Sequence, residues 1–145
     1  MALLEQDVFQ KAVEYFRKAG QFAREGEFKQ FASLAEEGWK VFPDPKSQWN
    51  QGYTVAKGAF CICLEHGEAE EAKKWLDRMI ENNDELHNFD TELFHMKAKY
   101  HFETQEYQEA LELWKQLVKK VGLRYFEGED KKYLNFYRNP DSLLK

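Results

Sequence analysis

Apolar residues recur at spacings of three and four along most of the chain, the pattern of helices that bury one face. The first stripe runs from Leu3 to a predicted stop near Gly26, and the second runs from Phe28 until Pro43 ends it. Proline is the strongest helix breaker, and none occurs between 46 and 139. The pattern therefore predicts two helices joined by a tight turn, followed by a long stretch that is free to form more helices.

Two further pairs of stripes follow the first pair, and each pair is interrupted by a short polar turn. The predicted helices are 53–64 with 69–80, and 91–102 with 107–121. Asn82-Asn83-Asp84 is predicted to end the fourth helix, and Gly122 is predicted to end the sixth. Because no segment alternates apolar and polar residues as a strand does, the pattern predicts an all-α fold.

The three turns can be aligned with one another, and the residues around them then match. The aligned turns are Gly26-Glu27-Phe28, Gly67-Glu68-Ala69 and Gln105-Glu106-Tyr107. Before the turns, one shared position is filled by Phe22, Cys63 and His101; after them, another is filled by Phe31, Ala72 and Ala110. These shared positions indicate an internal helix-turn-helix repeat.

The repeat resembles the tetratricopeptide repeat, a helix-turn-helix unit of 34 residues. Gly26 and Phe28 match the family's Gly-x-Tyr turn, and Pro43 lies where its closing proline belongs. The resemblance implies a right-handed superhelical stack of about three units over 1–122, in which the first helices line a concave face. The alternative interpretation is an ordinary bundle of six or seven amphipathic helices.

The segment 123–145 is unusually aromatic, and we assign it to the same domain as a capping helix. Tyr133, Phe136 and Tyr137 fall at spacings of three and four, which predicts a short seventh helix that ends near Arg138. Repeat stacks need such a helix to cover the apolar face of the last unit. An alternative role for these three aromatic residues and Arg138 is a secondary binding surface, because tyrosine and arginine are enriched at binding hot spots.

The resemblance also implies which side chains face the concave groove. The candidate partner-binding residues are Phe16, Thr54, Lys57, Glu92, His95, Lys99 and Phe102. In this hypothesis the cationic side chains pair with carboxylates of a partner, and the phenylalanines are its apolar anchors. The alternative is that the phenylalanines belong to the core and the lysines are merely solvated.

Charge and composition argue against some classes of partner and predict the cellular compartment. The 145 residues include 26 acidic residues against 21 lysines and arginines, a net charge of −5 that argues against nucleic-acid binding. No apolar run approaches the roughly 20 residues of a membrane span, and the N-terminus does not look like a secretory signal. Cys61 and Cys63 diverge on a helix, which disfavours a disulfide between them. We therefore expect a cytoplasmic protein that binds no membrane.

No pattern of residues indicates catalysis, a metal site or a cofactor. Phosphate-binding glycine loops, nucleophile elbows and zinc-binding helices have no counterpart in the sequence. Glu92 and His95 form a Glu-x-x-His pattern, but a di-iron centre in a helical bundle needs a second copy. We therefore expect neither enzymatic activity nor a bound cofactor.

Two functions fit these observations. The first is an adaptor or scaffold that binds a peptide or another protein in the groove. The second is a small acidic inhibitor, of the immunity-protein type, that neutralises a toxin or enzyme by binding it. A homodimer formed through the aromatic C-terminal segment is a further possibility.

Overall fold

The structure, a computed structural model, describes residues 4–144, so Leu3 and the outer ends of the predicted segments 1–122 and 123–145 lie outside it. Within those residues there are seven α-helices and no strand, which confirms the all-α prediction. The helices are α1 Gln6–Arg24, α2 Phe28–Val41, α3 Asn50–Glu65, α4 Ala69–Leu86, α5 Asp90–Glu103, α6 Tyr107–Val121 and α7 Lys131–Arg138. Short 3-10 helices lie at Lys46–Gln48, Arg124–Phe126 and Pro140–Ser142.

The chain divides into two compact units. Unit 1 ends at Asn88 and contains the hairpins α1–α2 and α3–α4. Unit 2 begins at Phe89 and contains the hairpin α5–α6 together with α7. No helix among residues 4–144 combines the length and the apolar character needed to cross a bilayer.

The three aligned turns share one backbone geometry. Gly26, Gly67 and Gln105 all have a positive φ, at 79°, 70° and 67°. A residue in this conformation ends a helix and lets the following amides bond back to its last carbonyl groups. The next amide closes each turn in the same way: Glu27 N–H donates to Phe22 (2.8 Å), Glu68 N–H to Cys63 (2.9 Å) and Glu106 N–H to His101 (2.7 Å). The three acceptors occupy the one position that the sequence alignment gave them.

The fourth helix is longer than predicted. Asn82-Asn83-Asp84 does not end α4, which continues to Leu86. Asn82 is wholly buried, and its side-chain amide donates to the carbonyl oxygen of Trp49 at 2.7 Å. This distant partner removes the tendency of asparagine to bond its own backbone and break the helix.

Unit 1 is held together by contacts between equivalent parts of its two hairpins. Helix α1 lies beside α3. The second helices meet where Trp39 contacts Trp75 edge to face, with ring centroids 5.7 Å apart. The turns meet where the Nε2 atom of His66 lies 3.0 Å from the carbonyl oxygen of Ala23.

The core of unit 2 is built from α5, α6 and the C-terminal segment. Trp114 on α6 is fully buried and contacts Phe126, Tyr133 and Phe136. The predicted seventh helix is present as α7, and the side chain of Asp130 caps its N-terminus by accepting from the Lys132 amide at 2.9 Å. The aromatic residues of 123–145 therefore complete this core.

Candidate binding site

Three predicted groove residues lie in unit 1. Phe16 is half-buried on α1, with its ring edge-on to Trp75 at 5.7 Å and its tip against Gly38. It therefore packs toward the second helices of both hairpins. On α3, Thr54 is exposed and Lys57 is half-buried, three residues apart and so on one face of the helix.

The other four predicted groove residues follow one another along α5. Glu92 and Phe102 are half-buried, whereas His95 and Lys99 are only 1% and 7% exposed. The spacing of four places His95 and Lys99 one turn apart on the same face. The structure thus brings both into the interior of unit 2.

His95 is held from two sides. The indole Nε1–H of Trp114 donates to His95 Nδ1 at 3.0 Å. Because Nδ1 accepts this bond, the neutral ring carries its hydrogen on Nε2. That nitrogen lies 3.5 Å from a carboxylate oxygen of Glu129, longer than a normal hydrogen bond but close enough for electrostatic attraction.

Glu129 is the counter-ion of the α5 face. Its second carboxylate oxygen lies 3.0 Å from Lys99 Nζ. Burial of the carboxylate disfavours its charge, but the interactions with His95 and Lys99 outweigh that cost and lower the pKa of Glu129 to about 2. The carboxylate is therefore ionised at neutral pH and neutralises a buried lysine.

The predicted secondary surface lies partly against the same face of α5. Tyr133 and Phe136 are buried, and both rings pack against Phe102, with centroids 5.2 and 5.4 Å away. Tyr137 is half-buried against Phe126, whereas Arg138 is exposed. Five of the predicted residues therefore lie where α5 packs against the C-terminal segment of the same chain: His95, Lys99, Phe102, Tyr133 and Phe136.

A second carboxylate, Glu103, anchors α7 to the end of α5. It accepts a hydrogen bond from the Tyr133 hydroxyl at 3.0 Å and pairs with Lys132 Nζ at 2.6 Å. Burial raises the pKa of Tyr133, and the nearby Glu103 charge raises it further. The tyrosine is therefore a permanent hydrogen-bond donor in this position.

An open pocket of about 590 Å³ lies next to this anchor. Its lining combines apolar, cationic and amide side chains. They include Phe102, Lys132, Asn135, Arg138, Asn139 and Leu143. Among the described residues 4–144, none of those that line the pocket carries a carboxylate, although the chain as a whole is acidic.

The polar network of unit 1 is structural in character. Both carboxylate oxygens of Glu36 on α2 accept from the Arg78 guanidinium of α4, at 2.6 and 2.8 Å, and Lys74 lies 2.9 Å away. The guanidinium also stacks over Trp75, 4.5 Å from the ring centroid. Burial opposes ionisation of Glu36, but the two cations lower its pKa to about 2.

The sequence interpretation missed Glu129, Glu103 and Lys132. Glu129 was identifiable in principle, because a lysine and a histidine on the apolar side of a helix require a carboxylate partner. Nothing in the local pattern selects Glu129 from the other acidic residues of the chain. Which carboxylate pairs with Lys99 and His95 depends on how the C-terminal segment packs against α5.

Within residues 4–144, no group of three or more histidine, cysteine, aspartate or glutamate side chains is arranged to hold a metal ion. Comparisons with protein families, with curated proteins and with solved structures yield no significant match to this chain.

Proposed function

We propose that this chain is a non-catalytic adaptor, whose tetratricopeptide-like hairpins bind a peptide or protein partner through their first helices. The observation that carries the proposal is the repetition within unit 1. First helix lies beside first helix, second helix contacts second helix, and turn contacts turn. Hairpins that stack in this register present their first helices as one extended surface, which is how helical repeats bind partners.

The partner surface proposed in unit 1 is centred on α3. Thr54 and Lys57 lie on one face of that helix. Phe16 contributes indirectly in this proposal, because its ring packs on Trp75 and supports α1 from behind. The cationic groups of α5 contribute less, since Lys99 is already paired with Glu129.

A capture experiment tests the proposal. The wild-type chain, a double variant Thr54→Arg with Lys57→Glu, and a control double variant Ser33→Arg with Lys29→Glu are immobilised and exposed to a native lysate. The control makes the same change of charge at two exposed positions of α2. Circular dichroism verifies that all three chains are equally helical.

Quantitative mass spectrometry of the bound proteins gives the result. We expect one partner to be held by the wild type and the control but to be depleted about tenfold by the α3 variant, a loss of ~1.4 kcal/mol. Retention of the same partners by both double variants would contradict the proposed surface. Loss of the partner from both double variants would also contradict the proposed surface, because the change of charge would then weaken binding wherever it is placed.

A different observation favours the second candidate function, an acidic inhibitor of a basic toxin or enzyme. The contact of His66 with the Ala23 carbonyl joins two turns that are rich in exposed carboxylates. These are Glu25, Glu27, Glu65, Glu68 and Glu70. Such an edge accelerates association with a basic partner, and the acceleration is lost as salt is raised. A captured partner whose association rate is insensitive to salt, and unchanged by Glu65→Gln with Glu68→Gln, would rule this candidate out.

A further inference from the structure

The pocket between the end of α5 and α7 is lined by cationic, amide and apolar side chains, although the chain carries a net charge of −5. We propose that it binds an acidic peptide segment of a partner protein, in which an apolar side chain lies between two carboxylates. The inference extends the proposed function by naming a partner chemistry, but it uses unit 2 alone and none of the residues of the α3 surface.

The apolar part of the pocket is available to a ligand. The half-buried ring of Phe102 lies in its wall, and Leu143 stands at its rim with 41% of its surface exposed. Among residues 4–144 only Leu123 and Leu143 are large apolar side chains with this much exposure. An apolar ligand group between Phe102 and Leu143 removes that surface from water, which is favourable.

The charged side chains that line the pocket are both cationic, and so they select an anionic ligand. Lys132 already pairs with Glu103, but its ammonium has three N–H groups and its side chain is 46% exposed. Arg138 is exposed at the end of α7 and forms no ion pair within residues 4–144. Its planar fork of donors is suited to a bidentate bond with a carboxylate. The two cations therefore favour a ligand that carries two carboxylates in addition to its apolar group.

The remaining polar groups favour a peptide as the carrier of these carboxylates. Asn135 and Asn139 are exposed one helical turn apart and both line the pocket. A carboxamide donates and accepts at once, which matches the N–H and C=O groups of a peptide backbone. Apolar wall, cationic rim and carboxamides together correspond to the three parts of an acidic peptide.

The test uses the full chain labelled with ¹⁵N and an acetylated, amidated pentapeptide of sequence Ser-Glu-Phe-Glu-Ser. Two matched peptides replace both glutamates by glutamine or the phenylalanine by alanine. The pocket variants are Arg138→Gln and Leu143→Ser, and the control is Lys131→Gln, which removes an exposed cation of α7 that does not line the pocket. All substituted side chains are exposed, so each variant is expected to keep the wild-type spectrum.

We expect the acidic peptide to shift amide signals of α7 and the end of α5. Its affinity should fall roughly tenfold when either its carboxylates or its phenyl ring is replaced, and also in either pocket variant, but not in Lys131→Gln. Equal binding of the glutamine peptide, or shifts confined to other helices, would overturn the inference. Equal competition by an oligothymidylate would also overturn it, by showing a site for any polyanion. Because Thr54 and Lys57 are unchanged throughout, failure here leaves the capture experiment on α3 unaffected.

Discussion

Gly38 on α2 lies close against α1, and replacing it by alanine tests how tightly the two helices pack. A β-carbon at Gly38 would lie 2.8 Å from Cε2 of Phe16 and 3.0 Å from Cβ of Tyr15. Neither atom is free to move away. The Phe16 ring is held edge-on against Trp75, and the Tyr15 atom is fixed to the α1 backbone.

The change in the free energy of unfolding caused by Gly38→Ala is the balance of two opposing effects. Overpacking of a well-packed site costs about 1–3 kcal/mol, whereas replacing glycine by alanine within a helix gains about 0.5–1 kcal/mol. Gly38→Ala should therefore lower the free energy of unfolding by ~1 kcal/mol. Gly58, on α3, provides a matched control, because a β-carbon there would have no heavy atom within 4 Å.

Gly58→Ala should accordingly stabilise the protein by about 0.5–1 kcal/mol. The helix propensities cancel in the difference between the two variants, which isolates the packing cost at Gly38. Urea unfolding followed by circular dichroism measures both values. The double variant Phe16→Leu with Gly38→Ala should lose less stability than the sum of the two single losses, since the smaller side chain relieves the contact with the new β-carbon. A Gly38→Ala variant as stable as Gly58→Ala would refute the close packing of α1 on α2.

Three further results are expected. Cys63 is fully buried and its pKa is raised to about 12 by burial, so a thiol reagent at about pH 8 should modify only Cys61 in the native protein and both thiols in denaturant. Folding lowers the pKa of Glu129 from its ordinary value of 4.5 to about 2. The ionised carboxylate therefore stabilises the fold above pH 4.5, and this stabilisation is lost as the pH falls from 4.5 toward 2. Acid titration should therefore destabilise the wild type more than a Glu129→Gln variant; equal acid sensitivity would contradict the pairing. Trp114→Phe leaves the His95 Nδ1 acceptor unpaired and a void beside it, which should cost about 2–3 kcal/mol in urea unfolding, and an unchanged midpoint would contradict the bond.

The helices and turns were predictable because they depend on neighbours in the sequence. Each hairpin turn needs a residue that tolerates a positive φ, and the aligned positions Gly26, Gly67 and Gln105 supply it. At Gln105 the positive φ could be predicted only by aligning this turn with the two glycine turns, because a glutamine by itself does not suggest a left-handed conformation. The end of α4 could not be predicted in this way, because Asn82 is held in the helix by a distant carbonyl.

The sequence selected three residues of α5 that pack against the C-terminal segment, but not their surroundings. His95, Lys99 and Phe102 follow one face of α5, which agrees equally well with a groove and with a packing face. This face is a packing face because Glu129, thirty residues from Lys99 in the chain, pairs with that lysine. A buried ammonium without a counter-ion is costly, so this face of α5 is stable in the interior only because the C-terminal segment supplies the carboxylate.

The same packing explains why the open pocket lies at the end of α5 and not over its middle turns. Over its middle turns the C-terminal segment fills the face of α5 with Glu129 and Tyr133, and the cation of Lys99 is neutralised there. At the end of the helix, α7 stops at Arg138, whose side chain is exposed, and the half-buried Phe102 ring lines the open pocket together with Leu143. Glu129 and Tyr133 thus place a carboxylate and an aromatic ring against α5 within the chain. The proposed peptide would bring the same two kinds of group, a carboxylate and an apolar side chain, to the neighbouring pocket.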